Sequence, residues 1–127
     1  MRFEEVRKEG VTFFNDAYNA NPDSMQAALE SLPKCEGKKV AVLSEMNALG
    51  VFAKAAHAKV AEAALEHVDL LLCLGENCVT MQEVWKESNR PCFHFLEKQD
   101  LREKLKELIS PGDVVLLKGA RSYAMEE

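Results

Sequence analysis

The stretch DLLLCL, at residues 69–74, is an apolar run that opens on a single charge and is followed by Gly75. Two similar runs are KKVAVL at residues 38–43 and DVVLL at residues 113–117. Strands that are apolar on both faces are typical of parallel sheets covered by helices on both sides. These three runs therefore predict the buried centre of an α/β domain.

Segments with the apolar spacing of helices alternate with these strands. The predicted helices span residues 22–32, 52–67, 77–87 and 100–109. The first of them opens on Pro22, which suits a first helical turn. The second predicts one stripe made by Phe52, Ala56, Val60, Ala63 and Ala64. Alternation of strand and helix indicates βαβ crossovers and a parallel sheet.

The outer strands show weaker patterns. Residues 91–95 predict a short strand, and residues 2–8 and 11–15 flank a Glu9-Gly10 turn that is typical of an antiparallel hairpin. Together with the central runs, they predict one Rossmann-like three-layer α/β domain over residues 1–127. Its sheet is expected to be mostly parallel, with about six strands and an antiparallel edge hairpin.

The composition of the chain favours some classes of protein and disfavours others. The chain has 127 residues, 47% hydrophobic and 29% charged, with a formal net charge of −5. This size and apolar content are typical of one globular domain. The negative charge disfavours binding to nucleic acid, and no apolar run approaches the ~20 residues of a membrane span. With no apolar signal region at its start, the chain is expected to be soluble and cytoplasmic.

The four cysteines do not have the spacing of a metal site. Cys35, Cys73, Cys78 and Cys92 form no C-x-x-C pair, and the histidines lack finger-like spacing. Cys73 and Cys92 lie in apolar runs, where a thiol behaves as a small hydrophobic group. Structural, reduced thiols are therefore expected, and no metal site is predicted in this domain.

Ligands of parallel α/β sheets bind at the carboxyl ends of the strands. Three polar or glycine-containing segments follow predicted strands, at residues 15–24, 44–51 and 118–122. The chain has neither a G-x-G-x-x-G fingerprint nor a G-x-x-x-x-G-K-[ST] phosphate loop. It is therefore not expected to be a complete ATP-using enzyme by itself.

Each of these three segments carries a recognisable motif. Residues 16–25 read DAYNANPDSM, residues 42–50 read VLSEMNALG, and residues 112–122 read GDVVLLKGARS. In this order they resemble the D-x-YNANP-x-SM, VLGDM-x-ELG and GD-x-VL-x-KGSR segments of the Mur ligase family, in the branch that adds D-alanyl-D-alanine. The chain departs from these patterns at Ser44, Glu45 and Ala120, and Asn47-Ala48 lacks the usual Glu of ELG.

The resemblance implies the C-terminal domain of a three-domain ligase, which binds the dipeptide and closes over ATP. The implied reaction joins D-alanyl-D-alanine to UDP-N-acetylmuramoyl-tripeptide through an acyl phosphate, in cytoplasmic peptidoglycan synthesis. ATP and Mg²⁺ would be bound mainly by a central domain that this chain lacks. The fragment alone is therefore expected to be inactive, and the enzyme is expected to be monomeric, with no nucleic-acid or membrane partner.

The resemblance also assigns site residues to two groups. The predicted ATP-binding residues are Asp16, Tyr18, Asn19, Asn21 and Pro22. The predicted D-alanyl-D-alanine-binding residues are Lys118, Gly119, Arg121 and Ser122. No residue of this domain is predicted to be catalytic.

The chemistry of these side chains suits such roles. A carboxylate such as Asp16 at a strand end suits ribose hydroxyls, and an asparagine amide could either read an adenine edge or hold a turn. The planar fork of Arg121 suits the dipeptide carboxylate. Structural roles remain open: Asp16 and Ser24 could cap turns or the helix start, and the two cations, Lys118 and Arg121, could be solvated.

Other side chains have simpler interpretations. His57 is expected to be packed or exposed rather than catalytic, and Glu45 to be a structural loop carboxylate. Trp85, Phe93 and Phe95 are expected to be core or edge aromatics.

Two alternatives to the dipeptide ligase remain open. One is the C-terminal domain of another Mur or folylpolyglutamate-type ligase, although AHTP-like or AHNP-like loops would then be expected in place of YNANP. The other is a non-catalytic, stand-alone α/β binding module. A receiver domain is disfavoured because the predicted strand at residues 69–74 ends in Cys-Leu-Gly rather than in a phosphorylatable Asp.

Overall fold

A computed structural model describes residues 4–16, 21–46 and 49–119. These residues form a six-stranded sheet with the order β1-β2-β6-β3-β4-β5. The strands are β1 (Glu4–Lys8), β2 (Val11–Asp16), β3 (Lys39–Ser44), β4 (Leu70–Leu74), β5 (Cys92–Phe95) and β6 (Val114–Lys118). The α-helices are α1 (Pro22–Glu30), α2 (Ala53–His67), α3 (Val79–Glu87) and α4 (Lys98–Leu108).

Five of the strands run parallel, and β1 is the antiparallel exception. The pairs β2–β6, β6–β3, β3–β4 and β4–β5 are all parallel. β1 pairs with β2 through a tight turn in which both Glu9 and Gly10 have positive φ. The predicted fold class, a mostly parallel sheet with an antiparallel edge hairpin, is confirmed.

Helices cover both faces of the sheet. On one face, α1, α2 and α3 pack on alternate strand residues such as Leu43 and Leu116. On the other face, α4 packs on their neighbours, Val42 and Leu117 among them. Successive strand residues point to opposite faces, so β3, β4 and β6 need apolar residues at nearly every position. None of the described helices is long and apolar enough to cross a membrane.

Helix boundaries differ from the predicted ones by up to two residues. One of these differences has a structural consequence. Phe52 was predicted to lie in the apolar stripe of α2. That prediction is wrong: Phe52 is 72% exposed and ends a 3₁₀ turn, Gly50–Phe52, before α2 begins at Ala53. A 3₁₀ turn has fewer residues per turn than an α-helix, so the stripe cannot be extended backwards through it.

Candidate functional site

The carboxyl ends of β2 and β6 lie side by side. Asp16, the last residue of β2, is the register partner of Lys118, the last residue of β6. Lys118 is also opposite Leu43, next to the end of β3. The strand order therefore brings the starts of all three predicted ligand segments to one edge of the sheet, although they are far apart in sequence.

Asp16 and Lys118 form a buried ion pair. Lys118 Nζ lies 3.0 Å from Asp16 Oδ2, and the side chains are 0% and 1% exposed. Charges are seldom buried to this extent unless they are paired. The sequence placed these two residues in different ligand groups and did not predict their contact.

Asn21 fixes the start of α1. Its Oδ1 accepts a hydrogen bond from the Ser24 backbone N–H at 2.9 Å, and the Asn21 N–H donates to Ser24 Oγ at 3.2 Å. This is a reciprocal capping box, and Pro22 follows it in the first turn of the helix. Asn21 therefore holds a turn and Ser24 takes part in capping the helix start, which are the structural roles that the sequence allows for them.

Glu45 connects the loop after β3 to the loop after β4. Its Oε1 accepts the backbone N–H of Asn77 at 3.0 Å. Gly75 has a φ of +117°, and a Cβ on it would lie 2.6 Å from the Glu45 Cδ. The loop thus needs glycine both for its conformation and for space. Glu45 is a structural carboxylate, as predicted.

His57 reaches the loop after β3 from α2. It is fully buried. Its Nε2 lies 2.9 Å from the Met46 backbone nitrogen, and its Nδ1 lies 2.7 Å from the Ala53 carbonyl oxygen. A backbone N–H only donates, so Nε2 accepts and the proton resides on Nδ1, which donates to Ala53. His57 is therefore packed, one of the two placements that the sequence predicted for it.

The same edge of the sheet carries exposed apolar side chains. Val51, Phe52, Val79 and Leu96 are all exposed and follow the carboxyl ends of β3, β4 and β5. At the carboxyl ends of β3, β4 and β5, exposed apolar side chains thus lie among exposed polar ones such as Glu76 and Glu97. The sequence did not predict the exposure of Phe52, because periodicity assigned it to a helical stripe.

Four predicted site residues, Tyr18, Asn19, Arg121 and Ser122, lie outside the described residues. Gly119 is described and buried. Within residues 4–16, 21–46 and 49–119, no group of three or more His, Cys, Asp or Glu side chains is arranged to hold a metal ion.

The fold and the strand-end site can now be compared with those of known protein families. The family model described as "Mur ligase, glutamate ligase domain" matches residues 1–121. The chain therefore belongs to the Mur ligase family, as its motifs predicted.

Two curated relatives of the chain carry the same enzyme name. The chain is 34% identical to UDP-N-acetylmuramoyl-tripeptide--D-alanyl-D-alanine ligase of Bacillus subtilis, over 100% of the chain and 29% of that protein. It is 40% identical to the enzyme of the same name from Treponema pallidum, over 91% of the chain and 26% of that protein. The chain thus spans less than a third of the length of these curated relatives.

Solved structures of MurF superpose on this chain. A crystal structure of MurF from Acinetobacter baumannii superposes with a TM-score of 0.85 at 26% identity, over 96% of this chain and 28% of that one. MurF from Thermotoga maritima in complex with ADP superposes with a TM-score of 0.79 at 26% identity, over 98% of this chain and 28% of that one.

Proposed function

We propose that this chain is the C-terminal domain of a cytoplasmic, monomeric ligase that uses ATP to join D-alanyl-D-alanine to UDP-N-acetylmuramoyl-tripeptide. The observation that carries the proposal is the register pair Asp16–Lys118. Through it, the YNANP segment (residues 18–22) and the KGAR segment (residues 118–121) start from adjacent strand ends. A nucleotide at the first segment and a dipeptide at the second would then be neighbours. The relatives that carry this reaction in their name support the choice of substrates.

The described start of α1 suits the nucleoside of ATP better than its phosphates. Anions bind helix N-termini through free backbone N–H groups. Here Pro22 has no N–H, the Ser24 N–H is used by Asn21, and Asp23 adds a negative charge. The YNANP segment would therefore contact adenine and ribose. The phosphates would be bound by the rest of the protein.

Mg²⁺ does not fit the described residues, which offer no suitable cluster of ligands. In the proposed enzyme the ion belongs to the part of the protein outside this chain. No step assigned to this domain depends on it.

The dipeptide carboxylate would be bound near the end of β6, by Arg121 together with Gly119 and Ser122. A guanidinium binds a carboxylate through two parallel hydrogen bonds, which orient as well as attract it. Such a clamp would place the amino group of the dipeptide towards the acceptor. This positioning is the contribution of the domain to catalysis.

The proposed reaction has two chemical steps. A carboxylate oxygen of the tripeptide attacks the γ-phosphorus of ATP, the bond to ADP breaks, and an acyl phosphate forms. The amine of the dipeptide then attacks the acyl carbon, and the tetrahedral intermediate loses inorganic phosphate and a proton to give the amide. The domain holds the nucleophile in line with the acyl carbon.

The first experiment is ligation by the whole protein that contains this chain. UDP-N-acetylmuramoyl-tripeptide, ATP and Mg²⁺ would be supplied with D-alanyl-D-alanine, L-glutamate or meso-diaminopimelate, and product mass and ADP release would be followed. The proposal expects product with the dipeptide alone. Product with one of the single amino acids, or with none of the three, would overturn it.

Two variants test the assignment of the segments. Asn19→Ala should raise KM for ATP, and Arg121→Ala should raise KM for the dipeptide, each by about tenfold to a hundredfold, as expected for the loss of hydrogen bonds to polar or charged groups. Arg102→Ala is the matched control, since Arg102 is exposed on α4. Wild-type KM values in both site variants would refute the assignment.

A further inference from the structure

We propose that the turn Gly50–Phe52, called the apolar turn below, docks on the ATP-binding part of the same protein and keeps water away from the acyl phosphate. The docking side chains are those of Val51 and Phe52. This inference rests on the proposed function and extends it, because it gives a role to two side chains that belong to neither ligand group.

Exposure is the first argument. Val51 is 91% exposed and the adjacent Phe52 is 72% exposed. Among the described residues, these are the two most exposed large hydrophobic ones. Single apolar residues are common on protein surfaces, whereas apolar side chains exposed side by side indicate a contact with another surface. Val51 and Phe52 therefore retain apolar area whose burial would stabilise a docked state.

The apolar turn has a defined backbone conformation. Gly50 has a φ of +55°, and the Phe52 N–H donates to the Leu49 carbonyl at 3.0 Å. A Cβ on Gly50 would meet nothing within 4 Å, so glycine is needed there for conformation rather than for space. Leu49 packs against the core. The two exposed side chains are thus presented on a closed turn that is anchored to the rest of the domain.

The start of α2 departs from ordinary helix capping. Its N-cap residue is Phe52, which makes no side-chain capping hydrogen bond. Ser, Thr, Asp and Asn are preferred at this position, because their side chains accept a backbone N–H. The same protein follows this preference in α1, where the N-cap is Asn21. Sites at which a sequence breaks a local rule are often functional, and an external contact would offset the missing cap.

The apolar turn lies at the same edge of the sheet as the candidate site. Met46, two residues beyond β3, is hydrogen-bonded at 2.9 Å to His57 of α2, which keeps the start of α2 beside the end of β3. β3 pairs with β6, and Leu43 is opposite Lys118 at the end of β6. A surface that covered the apolar turn would therefore border the proposed ligand segments.

The partner that fits this surface is the rest of the same ligase. The chain spans only 29% and 26% of two curated relatives, so more than two thirds of each lies outside the matched part. In the proposed function, that larger part binds ATP and must meet this edge for the substrates to react. Contacts between domains have an apolar centre and a polar rim. The exposed Glu76 and Glu97, at the same edge, suit the rim.

Exclusion of water is what this contact contributes to the reaction. When water reaches the acyl phosphate first, its oxygen attacks the acyl carbon and the bond to the phosphate oxygen breaks. The products are the tripeptide carboxylate, inorganic phosphate and a proton, so ATP is consumed without an amide being formed. Closing a site against water prevents side reactions of this kind. The apolar turn would therefore couple ATP consumption to ligation.

The first test measures this coupling in the whole protein. Val51→Ser combined with Phe52→Ser changes two exposed positions, so the fold should be retained. Burying one such side chain changes a docking equilibrium by about tenfold or more. We expect the ratio of ADP released to amide formed to rise at least about twofold above that of the wild type. An unchanged ratio would overturn the proposal.

Val6→Ser is the matched control. Val6 is an exposed valine on β1, which lies three strands away from β3 in the sheet. The substitution makes the same chemical change far from the apolar turn, and the ratio of ADP to amide should stay at the wild-type value. If Val6→Ser raised this ratio as much as the turn variant does, the effect would not depend on position and the proposal would be overturned.

Thiol labelling tests the docking without requiring ligation. In a Val51→Cys variant of the whole protein, alkylation of position 51 by iodoacetamide is followed by mass spectrometry. The half-buried Cys35, which precedes β3 at the opposite edge of the sheet, is the internal reference. With UDP-N-acetylmuramoyl-tripeptide and a non-hydrolysable ATP analogue bound, alkylation at position 51 should slow by at least about tenfold. Alkylation of Cys35 should not change.

The outcomes separate this proposal from the proposed function. If the wild type forms no amide but position 51 is protected when the nucleotide binds, the proposed function fails and the docking surface stands. If ligation is normal and position 51 reacts equally fast in every ligand state, the docking surface fails and the proposed function stands. Protection that depends on protein concentration rather than on nucleotide would assign the apolar turn to a second copy of the chain, which would also overturn the proposal.

Discussion

His57 and Met46 are joined by a 2.9 Å hydrogen bond in which the imidazole accepts from the backbone N–H. Both residues are buried. The proton on the other ring nitrogen is used by the Ala53 carbonyl in the same helix. A side chain of α2 thus determines how the chain leaves β3, next to the candidate site.

Replacing His57 by leucine should destabilise the protein. The Met46 N–H would lose its acceptor while remaining buried, which costs about 2 kcal/mol. Urea denaturation followed by circular dichroism measures this difference. The control is His67→Leu, in the last turn of the same helix, where a change below about 1 kcal/mol is expected. Equal effects of the two substitutions would argue against a special role for the Met46 contact.

Asp113 should make the stability of the protein depend on pH in the acid range. Burial alone would raise its pKa, but the hydrogen bonds from Lys38 and Ser110 and the charge of Lys38 outweigh burial and lower the pKa below 3.8. A carboxylate with a lowered folded pKa stabilises the protein above its unfolded pKa. This contribution disappears as the pH falls through the folded pKa.

Asp113→Asn should therefore cost about 2 kcal/mol at pH 7. The gap to the wild type should stay constant down to about pH 5 and shrink below about pH 4. Urea denaturation at several pH values measures this gap. Asp100→Asn, an exposed counterpart on α4, provides the control. A gap that grew on acidification would contradict the assigned sign.

Arg90 should stabilise the C-terminal end of α2. Its guanidinium donates to the carbonyls of Leu65 and Val68 at 3.2 and 2.7 Å and lies 5.0 Å from the centre of the Trp85 ring. Arg90→Met removes all three interactions and should cost about 3 kcal/mol.

Arg90→Lys should cost about half as much, because a lysine keeps the charge but lacks the planar fork. Thermal unfolding midpoints should therefore rank wild type, Lys and Met in descending order. Arg102→Met, a change at an exposed arginine, should leave the midpoint nearly unchanged. A lysine variant as unstable as the methionine variant would show that geometry rather than charge carries the effect.

Cys73 should be the least reactive thiol of the protein. Hydrogen bonding with the neighbouring thiols of Cys78 and Cys92, together with burial, raises the pKa of Cys73 far above its ordinary value. The thiolate is the reactive form, so Cys73 should react with iodoacetamide at pH 8 more than about tenfold more slowly than the half-buried Cys35. Mass spectrometry of time points measures both rates. In guanidinium chloride the rates should converge, and similar rates in the folded protein would contradict the prediction.

Local features of this protein were predictable from the sequence, and non-local ones were not. The apolar runs at β3, β4 and β6 predicted the covered sheet, since burial on both faces leaves no room for polar residues. The capping box at the start of α1 joins residues only three apart, and the sequence allowed Asn21 to hold a turn and Ser24 to cap the helix start. The Asp16–Lys118 contact was missed because it depends on β6 lying beside β2, and strand order cannot be derived from periodicity. The exposure of Phe52 was missed because a single 3₁₀ turn leaves no periodic signal.

The position of β6 in the sheet has a consequence for synthesis of the protein. Among the described strands, the last to be made is β6, which lies between β2 and β3 and joins the β1–β2 hairpin to the β3–β4–β5 group. At about 5–20 residues per second, a ribosome needs about 5–20 s to advance from the end of β2 to β6. During that interval the inner edges of β2 and β3 have no partner, and unpaired edges are sites of aggregation. The nascent chain is thus most vulnerable to aggregation, and most accessible to a chaperone, until its sixth strand is inserted.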